Sequence, residues 1–124
     1  MNALTAVGWT IRVTGLALVA LGLVLWTGVA PGLQPIHMLL GIVLVAALVA
    51  GAVIVLGMGA RPILPAIAIA WGLLTVALGL AQAQLLAGDG HVVVQVTHLL
   101  VGVVAIGLGE ALVSAGRRGA TARA

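Results

Sequence analysis

Two stretches of an otherwise aliphatic chain share one polar skeleton: QPIHMLLGIV at 34–43 and QVTHLLVGVV at 95–104 both read Q-x-x-H-x-L-x-G. Histidine is costly among alkyl side chains and is kept there to serve a ligand, a proton or a hydrogen bond. His37 and His98 each offer a neutral imidazole nitrogen, the donor that haem iron takes on its two axial faces. Gly41 and Gly102 follow their histidines by one helical turn and fall on the same face, where a missing side chain leaves room for a flat macrocycle. Gln34 and Gln95 precede them by one turn. There they can orient a ligand, bond a propionate, or accept from the second ring nitrogen, which metal-bound imidazole normally commits to a partner.

The same residues admit other readings. A chlorophyll-type tetrapyrrole needs one axial ligand and tolerates the same glycines. Two histidines can also bond between helices in a protein with no cofactor at all. Another metal or a proton relay is a further alternative, although zinc wants four ligands and finds here two nitrogens and amides. The chain has no cysteine, which excludes disulfides, thiolate metal sites and thiol nucleophiles. Met1, Met38 and Met58 are weaker soft ligands. His91 and Asp89, in AGDGH at 87–91, read as an ordinary polar turn, with contact to propionates or water as the alternative. Glu110 reads as a partner of Arg12 or Arg61, with proton transfer or quinol contact as the sharper alternative.

The elements that must position these residues follow from composition. Of 124 residues, 64% are hydrophobic and 6% charged, too few charges to solvate a folded surface, so the lipid bilayer is the expected solvent. The net charge of +3 is too small and too scattered for a nucleic-acid footprint. Apolar runs at about 13–30, 35–57, 63–85 and 92–114 predict four membrane-spanning helices. They are separated by APGLQP at 30–35, GMGARP at 57–62 and AGDGH, whose prolines and glycines mark tight turns. Short connections make neighbours antiparallel. Arg12, Arg61, Arg117, Arg118 and Arg123 then fall on one side, which the positive-inside bias makes cytoplasmic, with both termini. Trp9 and Trp26 suit interfacial anchoring, and Trp71 lies deeper.

An internal repeat organises the spans. GLALVALGLV at 15–24 matches GLLTVALGLA at 72–81, as the two histidine frames match each other, so the chain reads as one all-α transmembrane domain, 1–124, made of two repeated helical hairpins, 1–60 and 61–124. The first helix has the charge-then-apolar order of a secretory signal, yet its counterpart in the second hairpin cannot be one. The repeats are parallel, with a pseudo-two-fold axis along the membrane normal, and His37 should face His98 across it in the outer half of the bundle. Gly15 and Gly22, matched by Gly72 and Gly79, form a small-residue stripe that permits close helix packing or a porphyrin edge.

The segment LGLAQAQLLAGDGHVVVQVTHLLVGVVAI, 78–106, resembles the penultimate helix, outer loop and last helix of one half of haem A synthase. The first hairpin, through QPIHMLLG, is similar. That family has two four-helix halves, each with histidines that hold a haem near the outer face, and the present chain has the length of one half. The resemblance implies a haem b with His37 and His98 as axial ligands. The family's outer loops carry acids and in many members a cysteine pair, whereas here only Asp89 is present; a homodimer would restore eight helices.

Taken together, these residues predict an integral four-helix membrane bundle of the cell (inner) membrane that binds haem b between its second and fourth helices. It would transfer electrons or handle haem near the outer face, with a quinol or a redox protein as partner. Bis-histidine ligation fills the iron's coordination sphere, which favours passing electrons over activating oxygen. An enzymatic role, if present, would be a haem A synthase-like oxidoreductase. The alternatives are a cofactor-free scaffold subunit of a larger membrane complex and a chlorophyll-type pigment subunit.

Overall fold

The computed structural model describes residues 2–86 and 88–121. Four helices carry the chain: α1 (Ala3–Trp26), α2 (Gln34–Gly57), α3 (Ile63–Ala81) and α4 (His91–Thr121). Among the described residues there is no strand. All four helices are long and apolar enough to cross a membrane, as a multi-pass membrane protein requires. Arg123 lies outside the described residues.

The turns do what their residues dictate. Gly28 and Gly59 take φ of +72° and +78° just past the ends of α1 and α2, a left-handed conformation that glycine adopts without a Cβ penalty. Pro31 opens a short 3-10 turn, Pro31–Leu33, that leads directly into α2. Pro62 caps α3, and 3-10 turns at Gln82–Gln84 and Gly88–Gly90 connect α3 to α4.

Four boundaries differ by more than a residue from those expected; the first helix ends at Trp26, with Thr27 as its cap, and not at about 30. The first helix starts ten residues earlier than its apolar run, at Ala3. Asn2 accepts from the Thr5 amide at 2.8 Å and so caps the start, while Arg12, expected to precede the helix, lies inside it and pairs with Glu110. The third helix stops at Ala81 where Gln82–Gln84 tightens into a 3-10 turn. The last continues past the apolar run to Thr121, through Arg117 and Arg118, whose charges project from the bundle into a polar setting.

Around the bundle the helices run in chain order, with α2 touching α4 across the diagonal and α1 making no direct contact with α3. The start of α1, the end of α4 and the 58–62 turn share one end, termed the terminal end, where Leu4, Val55 and Leu112 join one core cluster and Ala60 packs against it. Glycines close this half. Ile11 fills the space over Gly109, where a Cβ would lie 2.7 Å from its Cδ1, and Ile106 reciprocally fills the space over Gly15, at 2.8 Å. Such contacts bring helix backbones close, which is how membrane helices gain packing energy without a hydrophobic drive between them.

The core stops halfway. Buried apolar side chains cluster from Leu4 to Ile11 on α1 and from Leu44 to Val55 on α2, whereas near the distal end, which holds the 27–33 and 82–90 connections, Val94 is the buried one among the described residues. Two polar ties brace the bundle. Arg12 donates through Nε and Nη2 to the two Glu110 oxygens, both at 2.8 Å, with Trp9 beneath the guanidinium at 5.8 Å, so that Arg12 and not Arg61 is the partner of Glu110. Trp71 donates its indole N–H to the Val101 carbonyl at 2.9 Å and ties α3 to α4.

Gly109→Val should lower the thermal midpoint of the detergent-solubilised protein by an amount equivalent to about 1–3 kcal/mol, because the α-carbon has no room for a branched side chain. Gly107→Ala, which meets nothing within 4 Å, should leave the midpoint unchanged. In the same assay Glu110→Leu should destabilise by stranding Arg12, and adding Arg12→Leu should recover most of the loss.

Candidate functional site

The two histidines are delivered by helices that begin at the distal end. Helix side chains lean toward the helix N-terminus, so His37, near the start of α2, and His98, two turns into α4, both project into the open half of the bundle. Their rings face across the α2–α4 diagonal with centroids 6.3 Å apart and planes at 58°. A metal midway between two axial imidazoles needs about 2 Å to each nitrogen and roughly 1 Å more to each ring centre, hence centroids about 6 Å apart. The observed spacing satisfies that requirement.

Both rings line one cavity of about 410 Å³ in the distal half, formed by all four helices. That volume lies in the range of small-molecule and cofactor sites. Gln34, Gly41, Gln95 and Gly102 line it as well, so every site residue expected from the repeated frame reaches the same space. A Cβ placed on Gly41 or Gly102 would meet nothing within 4 Å, which leaves open volume one turn below each imidazole.

The glycine stripe on α1 and α3 divides its roles. Gly15 and Gly72 receive Ile106 and the Val45–Leu48 pair, which is packing. Gly22 and Gly79 instead make room for the imidazoles: a Cβ would stand 3.4 Å from His37 Cε1 at Gly22 and 3.0 Å from His98 Cε1 at Gly79. In each hairpin, then, a glycine of the first helix seats the histidine of the second. The spacing of the stripe was visible in the sequence, but not which glycine would meet a ring.

The glutamines do not serve as expected toward the rings. Both Nδ1 atoms are buried with no hydrogen-bond partner, so neither Gln34 nor Gln95 accepts from its histidine. Each glutamine lines the cavity while each ring lies against a glycine of the preceding helix, so the two side chains do not bond although one turn separates them. The Nε2 atoms are not enclosed in this way. His91 opens α4, its Nδ1–H donating back to the Leu85 carbonyl at 3.2 Å, while its ring also lines the cavity. Trp26, Thr75 and Gln82 reach the cavity too, and no motif marked them.

Among the described residues no three His, Cys, Asp or Glu side chains gather. A bare ion would find only the two imidazole nitrogens. A macrocycle that brings four equatorial nitrogens of its own would require only such a pair, and the space beside Gly41 and Gly102 is open. The residues present therefore fit a haem better than they fit a free metal. Compared with known proteins, the chain matches no family model, no curated protein and no solved structure.

Proposed function

We propose that the chain is a membrane-embedded haem b protein in which His37 and His98 are the axial ligands, and that it transfers electrons or handles haem near the outer face of the cell membrane. The observation that carries this reading is the pair of imidazoles facing across the diagonal at 6.3 Å, in the half of the bundle that lacks a side-chain core. Haem bound there supplies a one-electron couple. The chain's own residues hold it and set its surroundings: the histidines fix the iron's height, Gly41 and Gly102 leave space beside them, and aliphatic side chains such as Leu44, Val103 and Ile106 exclude water from the deep wall.

With both axial positions taken by protein nitrogen, the site passes electrons in preference to binding oxygen, and a quinol or a redox protein is the partner class. The matched contacts Gly22–His37 and Gly79–His98 support a duplicated hairpin with its pseudo-two-fold axis through the site. Arg61, Arg117 and Arg118 at the terminal end support a cytoplasmic location for both termini. The likeness to one half of haem A synthase is part of the same proposal, with a homodimer as the arrangement that would complete eight helices.

Visible spectra of the purified protein, oxidised and dithionite-reduced, test the assignment. The expected result is a low-spin six-coordinate haem spectrum that is lost in both His37→Ala and His98→Ala. A folded but colourless wild-type protein would overturn the reading in favour of a scaffold, and a long-wavelength pigment band would overturn it in favour of a chlorophyll-type ligand. Gly79→Val should convert the spectrum toward a five-coordinate form by displacing His98, whereas Gly107→Ala should not, since position 107 is open.

A further inference from the structure

The cavity that receives the imidazoles has its amides at one end. Gln34, Gln82, Gln95 and His91 line it near the distal connections, and its deeper wall is aliphatic apart from Thr75, whose hydroxyl is given to the Trp71 carbonyl. No Lys, Arg, Asp or Glu is among the described residues that line it. Side-chain hydrogen bonds in this half of the bundle engage Thr27, Trp71, Thr75, His91 and Thr97, and none takes a glutamine amide. With Nδ1–H given to Leu85, a neutral His91 ring offers only an acceptor at Nε2, so the donors at this end are the amides.

A ligand that fits such a space has a flat apolar body and one edge rich in hydrogen-bond acceptors. We propose that the distal amide cluster of Gln34, Gln82 and Gln95 binds the carboxylate edge of an iron tetrapyrrole, so that the site selects a free-acid porphyrin over one whose acids are esterified. This rests on the haem reading above and adds the orientation and chemical class of the ligand. An amide N–H to a carboxylate is a charge-assisted bond, stronger than the same donor to an ester carbonyl. The helices α2 and α4 both begin at this end, and their dipoles add to the preference for negative charge. The same preference disfavours tetrapyrroles that carry a long esterified tail, whose alkyl chain would displace water from the amides without replacing its bonds.

Titration of haem-free protein in detergent with haemin and with haemin dimethyl ester, followed at the Soret band, tests this. The wild-type chain should bind haemin about tenfold or more tightly than the ester. In the double variant Gln34→Leu/Gln95→Leu, both forms should still give a six-coordinate spectrum, but the preference should fall toward one. Partition of the ester into detergent is common to both chains and cancels in the comparison. A wild-type preference near one, or a preference that survives the double substitution, would overturn the proposed orientation while leaving histidine ligation standing. If neither compound binds the folded wild-type chain, the haem reading falls with it.

Discussion

An imidazole taken out of water must still place two nitrogens, and a helix in lipid gives it few choices because its own backbone groups are already paired. In this bundle two such rings are placed against each other, and the rest of the architecture is arranged around that placement. The terminal half is closed by reciprocal insertion of Ile11 and Ile106 over glycines, which fixes the helix spacing. The distal half is left without a side-chain core. Had the distal half been packed with leucine and valine as the terminal half is, the rings would have no volume to face.

Glycine serves opposite ends in the two halves. At Gly15, Gly72 and Gly109 the absent side chain is replaced at once by an aliphatic neighbour, and the interface is dense. At Gly22 and Gly79 it is replaced by an imidazole, and at Gly41 and Gly102 by nothing. A single residue type thus sets packing, seating and open volume, depending on what approaches it. The boundary between these uses falls at about the level of Leu44 and Ile106, which belong both to the core and to the cavity wall.

Much of this was legible in the chain. The repeated frame named the histidines and the glycines below them, and hydropathy with turn chemistry gave four helices in the right order. What escaped has specific causes. Arg12 looked like a residue in front of a helix because a charge ends an apolar run, and its partner lies 98 residues away, beyond any local pattern. The glutamines looked like partners for the rings because one turn separates them in sequence, whereas each ring lies against a glycine of the neighbouring helix. Trp26, Thr75 and Gln82 belong to the cavity through helix rotation, which no local spacing encodes.

The Arg12–Glu110 contact has an implication for biogenesis. A chain made from its N-terminus delivers α1 long before α4 is synthesised, so the guanidinium must wait without its counter-charge. Until then it can only reach toward the headgroups, helped by the neighbouring Trp9. Arrival of the last helix neutralises the waiting cation. Insertion order and final assembly are thereby coupled through one carboxylate.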